Sequence, residues 1–287
     1  MHFVDAKGIL SAANGMNIYR GCTHGCIYCD SRSVCYQIKH AFEDIEVKRN
    51  APELLDRALA GKRKKCMIST GAMCDPYMHC EEELGLMRRC LEIINRRGFG
   101  VDILTKSDRI LRDMDLIESI NRRAKSAIQL TLTTYDESLC KIIEPNVCGT
   151  YRRYEVLKQM QARGIPTAVW LTPLLPFIND TEENLRGILD YCFDAGVKGI
   201  MCFNMGLTLR EGDREYFYAA LDKHFPGLKK KYAQTYGLAY EIESPNSKRL
   251  TEIFHTECEK YGVLHHPDDV FSWLKELPED SHQLSMF

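Results

Sequence analysis

No run of this sequence approaches the eighteen or so apolar residues that a bilayer-spanning helix needs, which argues against an integral membrane protein. The first ten residues, MHFVDAKGIL, lack the basic patch, apolar centre and cleavage site of a secretory signal, so the chain is expected to be cytoplasmic. An excess of positive charge is also missing. The formal net charge is -2, which excludes a protein that coats nucleic acid by bulk charge, though not one with a local basic face. The pairs Arg88-Arg89, Arg96-Arg97, Arg122-Arg123 and Arg152-Arg153 read as solvated helix ends, where cations favour the negative pole of the dipole. There is no internal repeat beyond a β/α unit and no low-complexity segment. A disulfide framework is missing too. The 13 cysteines are odd in number, and most sit singly in apolar segments, as Cys66, Cys192 and Cys202 do. They are expected to be small buried hydrophobes in a reducing, oxygen-poor cytosol.

What the sequence does have is rhythm. Strand-like apolar runs at 16–20, 65–70, 100–105, 127–133, 165–171 and 198–203 alternate with helical runs near 50–60, 81–97, 108–123, 150–163 and 182–195. Gly61, Gly98, Gly164 and Gly196 fall where helices should end, and Thr181 with Glu182 and Glu183 marks a helix start. Six strands alternating with helices mean an α/β fold with parallel strands and right-handed crossovers. Periodicity does not choose between a barrel and a doubly wound sheet. In either, loops leaving the C-terminal strand ends build the active site. After residue 205 the rhythm breaks into helices at 211–232 and 246–261 and a polar stretch at 276–283.

One exception stands out among the scattered thiols. In NIYRGCTHGCIYCDSRS, residues 17–33, Cys22, Cys26 and Cys29 follow C-x3-C-x2-C in the loop leaving the first strand. A zinc site needs four ligands, usually as two pairs. His24 inside the loop or Cys35 beyond it would supply the fourth, and a zinc-stabilised, non-catalytic adaptor is one reading. A 4Fe–4S cluster normally takes four thiolates, so three leave one iron open for a substrate or cofactor. This second pattern resembles the radical S-adenosylmethionine (radical SAM) superfamily, whose signature is this spacing with an aromatic before the third cysteine, here Tyr28. The resemblance implies a partial (β/α)6 barrel over residues 1–205 with a mostly helical C-terminal extension, 206–282. It also implies a 4Fe–4S cluster held by Cys22, Cys26 and Cys29, whose open iron chelates S-adenosylmethionine. Reductive cleavage of that cofactor would give a 5′-deoxyadenosyl radical that abstracts a hydrogen from the substrate. A flavodoxin or ferredoxin would supply the electron.

The loops after later strands carry STGAMCDPY (69–77), TKS (105–107), LTLTT (130–134), the dipeptide Glu144-Pro145 and TPLLPFIND (172–180). Together they resemble the spore photoproduct lyase-like branch of that superfamily. Carried over by position, the resemblance implies that Tyr28 packs on the adenine and that Ser69 and Thr70 line the amino-acid end of the cofactor. It further implies that Lys106 pairs with the carboxylate beside Thr131, that Arg153 stands near the pocket, and that Asn204 touches the ribose. A lysine at a strand tip between hydroxyl residues suits an anion on physical grounds alone. One departure stands out. The branch's lyase has a hydrogen-donating cysteine three residues before the loop aspartate, where this chain has Ala72. Cys74 sits instead directly before Asp75, either as a displaced hydrogen donor or as an inert packed thiol.

Two features lie in the C-terminal part. The final pentapeptide, QLSMF (283–287), resembles the motif by which bacterial polymerases and repair proteins bind the sliding clamp. Leu284, Met286 and Phe287 would enter an apolar pocket while Gln283 bonds its rim. His255, Cys258, His265 and His266 offer auxiliary metal ligands, or are simply core and surface of a helical segment. The expected function is therefore radical chemistry on damaged or modified DNA, with a small molecule, peptide or protein as the alternative substrate.

Overall fold

A computed structural model describes residues 1–278 of the chain. Six strands form one sheet: Gly15–Met16, Met67–Thr70, Gly100–Thr105, Ser126–Thr131, Thr167–Trp170 and Gly199–Met201. They lie side by side in chain order and every pairing is parallel, with Met16 opposite Thr70, Ile103 opposite Ile128, and Trp170 opposite Met201. The first and sixth strands are not paired, so the α/β sheet is a partial barrel. This resolves the choice that periodicity left open.

Helices Ala51–Ala60, Leu86–Arg97, Met114–Arg123, Thr150–Ala162 and Glu182–Asp194 fill the crossovers. Thr181 caps the last of these by accepting from the Asn184 N–H, as its sequence context predicts. Gly98 and Gly196 end their helices in the left-handed region, which glycine enters without steric cost. Gly61 ends its helix in the right-handed region instead. Among the described residues no helix is long and apolar enough to cross a membrane.

Several expectations shift. The run 16–20 divides, because Tyr19–Arg20 leaves the barrel and pairs antiparallel with Glu46–Lys48 in a separate three-stranded sheet. The run 81–97 breaks at Gly85, whose φ is 57°. The run 211–232 becomes two helices, Asp213–His224 and Leu228–Tyr236. The strands His2–Val4 and Glu46–Lys48 and the helix Glu137–Ile143 have no counterpart in the sequence reading, and neither do two features of the C-terminal part. One is the antiparallel pair Gly206–Thr208 with Glu241–Glu243. The other is the helix Pro267–Lys275, which places Val270 and Leu274 in one apolar cluster with Met67 and Ala127 from the starts of two barrel strands. Gly100 makes room there, since a Cβ would lie 2.8 Å from Leu277 Cδ2. The C-terminal segment thus closes the barrel at the N-terminal ends of its strands and leaves the other end open.

Alternate strand residues face the barrel interior. Above the apolar floor lies a polar layer: Gln129 donates to Asp102, and the Trp170 indole N–H donates to Gln129. Burial drives the Asp102 carboxyl up to about 7, against the opposing pull of its bonds from Gln129 and Ser69. The unfolded chain releases this proton near pH 4, whereas the folded chain keeps it until about 7. Across that window the unfolded state binds fewer protons, so stability should fall as pH rises and then level off. Urea midpoints measured from pH 4 to 8 should show this decline in the wild type and a flatter profile in Asp102→Asn. Parallel profiles would contradict it.

Candidate active site

At the open end of the barrel a cavity of about 460 Å³ is walled on one side by the three-cysteine loop and on the others by strand tips. The loop is fixed by its backbone. Gly21 has φ 87° and a Cβ there would sit 2.4 Å from the Phe42 carbonyl, so only glycine fits the turn before Cys22. The Cys22 N–H donates to Phe42 O at 3.0 Å and the Ile27 N–H to Ile143 O at 3.0 Å. Asn146 donates to His24 O through its backbone, at 3.1 Å, and to Thr23 O through its side chain, at 2.8 Å. The segment Ile143–Asn146, which carries the Glu-Pro dipeptide, is therefore the clasp that holds the loop.

Cys22, Cys26 and Cys29 all line the cavity and none is in a disulfide. Burial drives the Cys22 thiol well up and the Cys26 thiol to about 12, so both hold their protons until a metal displaces them. A single tetrahedral zinc would need sulfur atoms about 3.8 Å apart. Among the described residues, two groups of three potential ligands converge to within 4.8 Å, and the cysteines are not one of them. Three spaced thiols around a cavity fit a multi-iron cluster, with each thiolate on its own iron.

Opposite the loop, Lys106 lines the cavity with its ammonium 5.9 Å from the Tyr28 ring centroid. Burial pulls its pKa down, but Cys26, Glu144 and Asp75 outweigh that and hold it above the ordinary lysine value. Its position is set by Asp75. That carboxylate accepts from the Lys106 N–H at 2.7 Å, the Thr105 hydroxyl at 2.7 Å and the Tyr77 N–H at 2.8 Å, tying the loop after the second strand to the tip of the third. Gly71 opens that loop at φ 101°, with the Leu104 carbonyl 1.8 Å from where a Cβ would be. Thr131 and Asn204 also line the cavity.

Four expected residues sit elsewhere or are spoken for. Ser69 bonds downward to Asp102 in the polar layer, and neither Ser69 nor Thr70 lines the cavity. Cys74 reaches the cavity wall, but its thiol donates to Tyr19 O at 3.0 Å and burial drives it up to about 12. Arg153 is a correction. It is fully buried and does not reach the cavity. Its guanidinium pairs with Glu144 at 2.5 Å and donates to the carbonyls of Thr131 and Cys148. Glu144 in turn accepts from the Tyr28 hydroxyl. Burial pushes the Glu144 carboxyl up, but Arg153 and Lys106 overcome this and keep it low. The arginine thus acts on the cavity through Glu144 and Tyr28.

The sequence reading offered His24 only as a fourth zinc ligand, and it missed the lining residues at the mouth. His24 stands 3.4 Å from Asp75 through Nδ1, its Nε2 is buried without a partner, and burial keeps it neutral. At the mouth, Phe203 and Tyr240 are exposed, and the Arg210 guanidinium lies 4.9 Å from the Tyr240 ring centroid. Nothing in the sequence joins these positions, because Tyr240 arrives from the unexpected antiparallel pair.

The sequence profile of the radical SAM superfamily matches residues 16–192. An uncharacterized protein of Mycobacterium tuberculosis is 27% identical over 232 residues, covering 77% of this chain and 66% of that one. The chain therefore spans just under two thirds of the length of this relative. An uncharacterized protein of Methanocaldococcus jannaschii is 32% identical over 169 residues, covering 58% of this chain and 62% of that one. In structure, the chain is similar to spore photoproduct lyase complexed with a dinucleoside spore photoproduct, with TM-score 0.66, 12% identity, and coverage of 90% and 78% of the two chains. A mutant of that lyase with bound S-adenosylmethionine matches at TM-score 0.63 and 11% identity, covering 86% and 74%.

Proposed function

The chain belongs to the radical SAM superfamily, whose cofactors are a 4Fe–4S cluster and S-adenosylmethionine, and on that premise we propose that it acts on damaged or modified DNA. When bound, the two cofactors supply a 5′-deoxyadenosyl radical that takes a hydrogen atom from the substrate. Cys22, Cys26 and Cys29 hold the cluster. Lys106 offers its ammonium to the cofactor carboxylate, with the Thr131 hydroxyl and the Asn204 amide as further polar partners. Tyr28, held by Glu144, presents its ring to the adenine. The buried side chains of Cys22, Cys26, Tyr28 and Thr131 keep water from that wall of the cavity, which limits side reactions of a radical.

The observation that carries the DNA reading is the rim. Phe203, Tyr240 and Arg210 all line the cavity, with both rings exposed and the guanidinium against Tyr240. Exposed rings stack on a base that leaves its helix, and a guanidinium pairs with phosphate or stacks in turn. The likeness to a lyase complexed with a dinucleoside photoproduct supports this reading at the level of the fold. With a net charge of -2, binding would rest on this patch and not on bulk attraction. The reduced, reconstituted protein should form 5′-deoxyadenosine several-fold faster with ultraviolet-irradiated DNA than without it. An equal rate with and without DNA, irradiated or not, would turn the reading towards a small molecule, peptide or protein. Cys74 is the candidate hydrogen donor to a substrate radical, in place of the cysteine missing at Ala72.

The pentapeptide Gln283–Phe287 lies outside the described residues. In this reading it tethers the enzyme to the sliding clamp, with burial of three apolar side chains giving roughly micromolar affinity. Binding to a bacterial clamp by calorimetry should disappear when residues 283–287 are removed. No binding by the intact chain at tens of micromolar, on the order set by that estimate, would refute the tether.

A further inference from the structure

Far from the three-cysteine loop, three imidazoles converge. His255 lies on the helix Ser247–Tyr261, and His265 and His266 form the turn into the helix Pro267–Lys275. The nearest ligand atoms of the three all fall within 4.8 Å of one another. Their ring centroids are 5.1, 5.4 and 4.5 Å apart. No carboxylate belongs to the group.

The turn is held rigidly. Leu264, next to His265, donates to Lys198 O at 3.1 Å and accepts from the Ile200 N–H at 2.8 Å, which joins it to the edge of the sixth barrel strand. His265 is only 8% exposed. Its Nδ1 is 2.9 Å from the Val263 carbonyl, an oxygen that can only accept, so Nδ1 carries the proton. That fixes Nε2 as the lone-pair nitrogen. The Nε2 atom is buried without any hydrogen-bond partner. A backbone carbonyl that fixes the tautomer and leaves the other nitrogen bare is the usual support of a metal-bound histidine. A buried, unsatisfied nitrogen is otherwise unfavourable to the fold.

We propose that His255, His265 and His266 form a zinc site distinct from the cluster. Three neutral imidazoles suit a borderline divalent ion such as Zn²⁺. Zinc–nitrogen bonds of 2.0–2.1 Å in a tetrahedron bring the nitrogens about 3.4 Å apart, which small side-chain rotations achieve. His266 is exposed, so water completes the tetrahedron. The ion ties the helix Ser247–Tyr261 to the helix that closes the barrel floor, which gives the site a structural role. Cys258, one turn from His255, is buried and not part of the group.

The test uses untagged, anaerobically reconstituted holoenzyme supplied with zinc chloride, with zinc and iron counted together by mass spectrometry. One zinc per chain is expected, with zinc-edge X-ray absorption showing nitrogen and oxygen neighbours only. In His265→Ala, and in His266→Ala at an exposed position that leaves the fold intact, zinc should fall at least tenfold while iron stays unchanged. Chelation should lower the melting temperature of the wild type and leave both variants unmoved. Sulfur neighbours would place the zinc on the cysteines and overturn the proposal. So would zinc retained in both variants, or zinc lost on His40→Ala in the other histidine group, which includes His2 and Glu46.

Discussion

Replacing any one of Cys22, Cys26 and Cys29 with alanine should leave the reconstituted protein colourless and reduce 5′-deoxyadenosine formation to background. A 4Fe–4S cluster is normally held by four thiolates, and this loop supplies three. Losing one more leaves two irons without a protein ligand. Cys74 lines the same cavity, but its thiol is committed to Tyr19 O. Cys35 is exposed and its sulfur lies 3.2 Å from the Arg210 guanidinium. Iron should fall from about four per chain to well below one in each loop variant. Cys35→Ala and Cys74→Ala should stay brown with a full complement of iron. Full iron content in Cys29→Ala would mean that another residue ligates, and the assignment of the loop would fail.

The loop was legible because its chemistry is written in consecutive residues. Spacing identifies three thiols, with an aromatic before the third. The barrel was legible for a related reason: strands covered on both faces read as apolar runs, and the run at 100–105 coincides with the strand Gly100–Thr105. Legibility failed where a neighbour in space decides the outcome. The run at 16–20 contains two segments that pair with different sheets, and no local signal separates them. The helix Pro267–Lys275 is short, and its role comes from Met67 and Ala127, far away in sequence. Each strand of the pair Gly206–Thr208 and Glu241–Glu243 has three residues, too few for a period to show. The resemblance implies Arg153 beside the pocket, yet it does not line the cavity. Only the structure shows that Glu144 stands between, so its influence on the cavity is indirect.

That arrangement carries the second large effect. Arg153→Met should destabilise the protein by about 3–5 kcal/mol, because it strands the Glu144 carboxylate in a site with no exposure. Such a loss is a large share of the roughly 5–15 kcal/mol that keeps a domain folded. Glu144→Gln should cost less, since the guanidinium keeps the carbonyls of Thr131 and Cys148 as acceptors. The double variant should be more stable than Arg153→Met alone, because removing both charges removes the uncompensated one. Urea midpoints of the four proteins give the coupling directly. The same series separates stability from positioning. Glu144 accepts from the Tyr28 hydroxyl, so in Glu144→Gln the ring should lose its fixed place beside the cavity. Binding of S-adenosylmethionine should then weaken while iron content holds. If Glu144→Gln binds the cofactor as the wild type does, the buried pair stabilises the loop and does nothing more. If Arg153→Met shifts the midpoint by less than about 1 kcal/mol, the pair is not what holds the clasp over the three-cysteine loop.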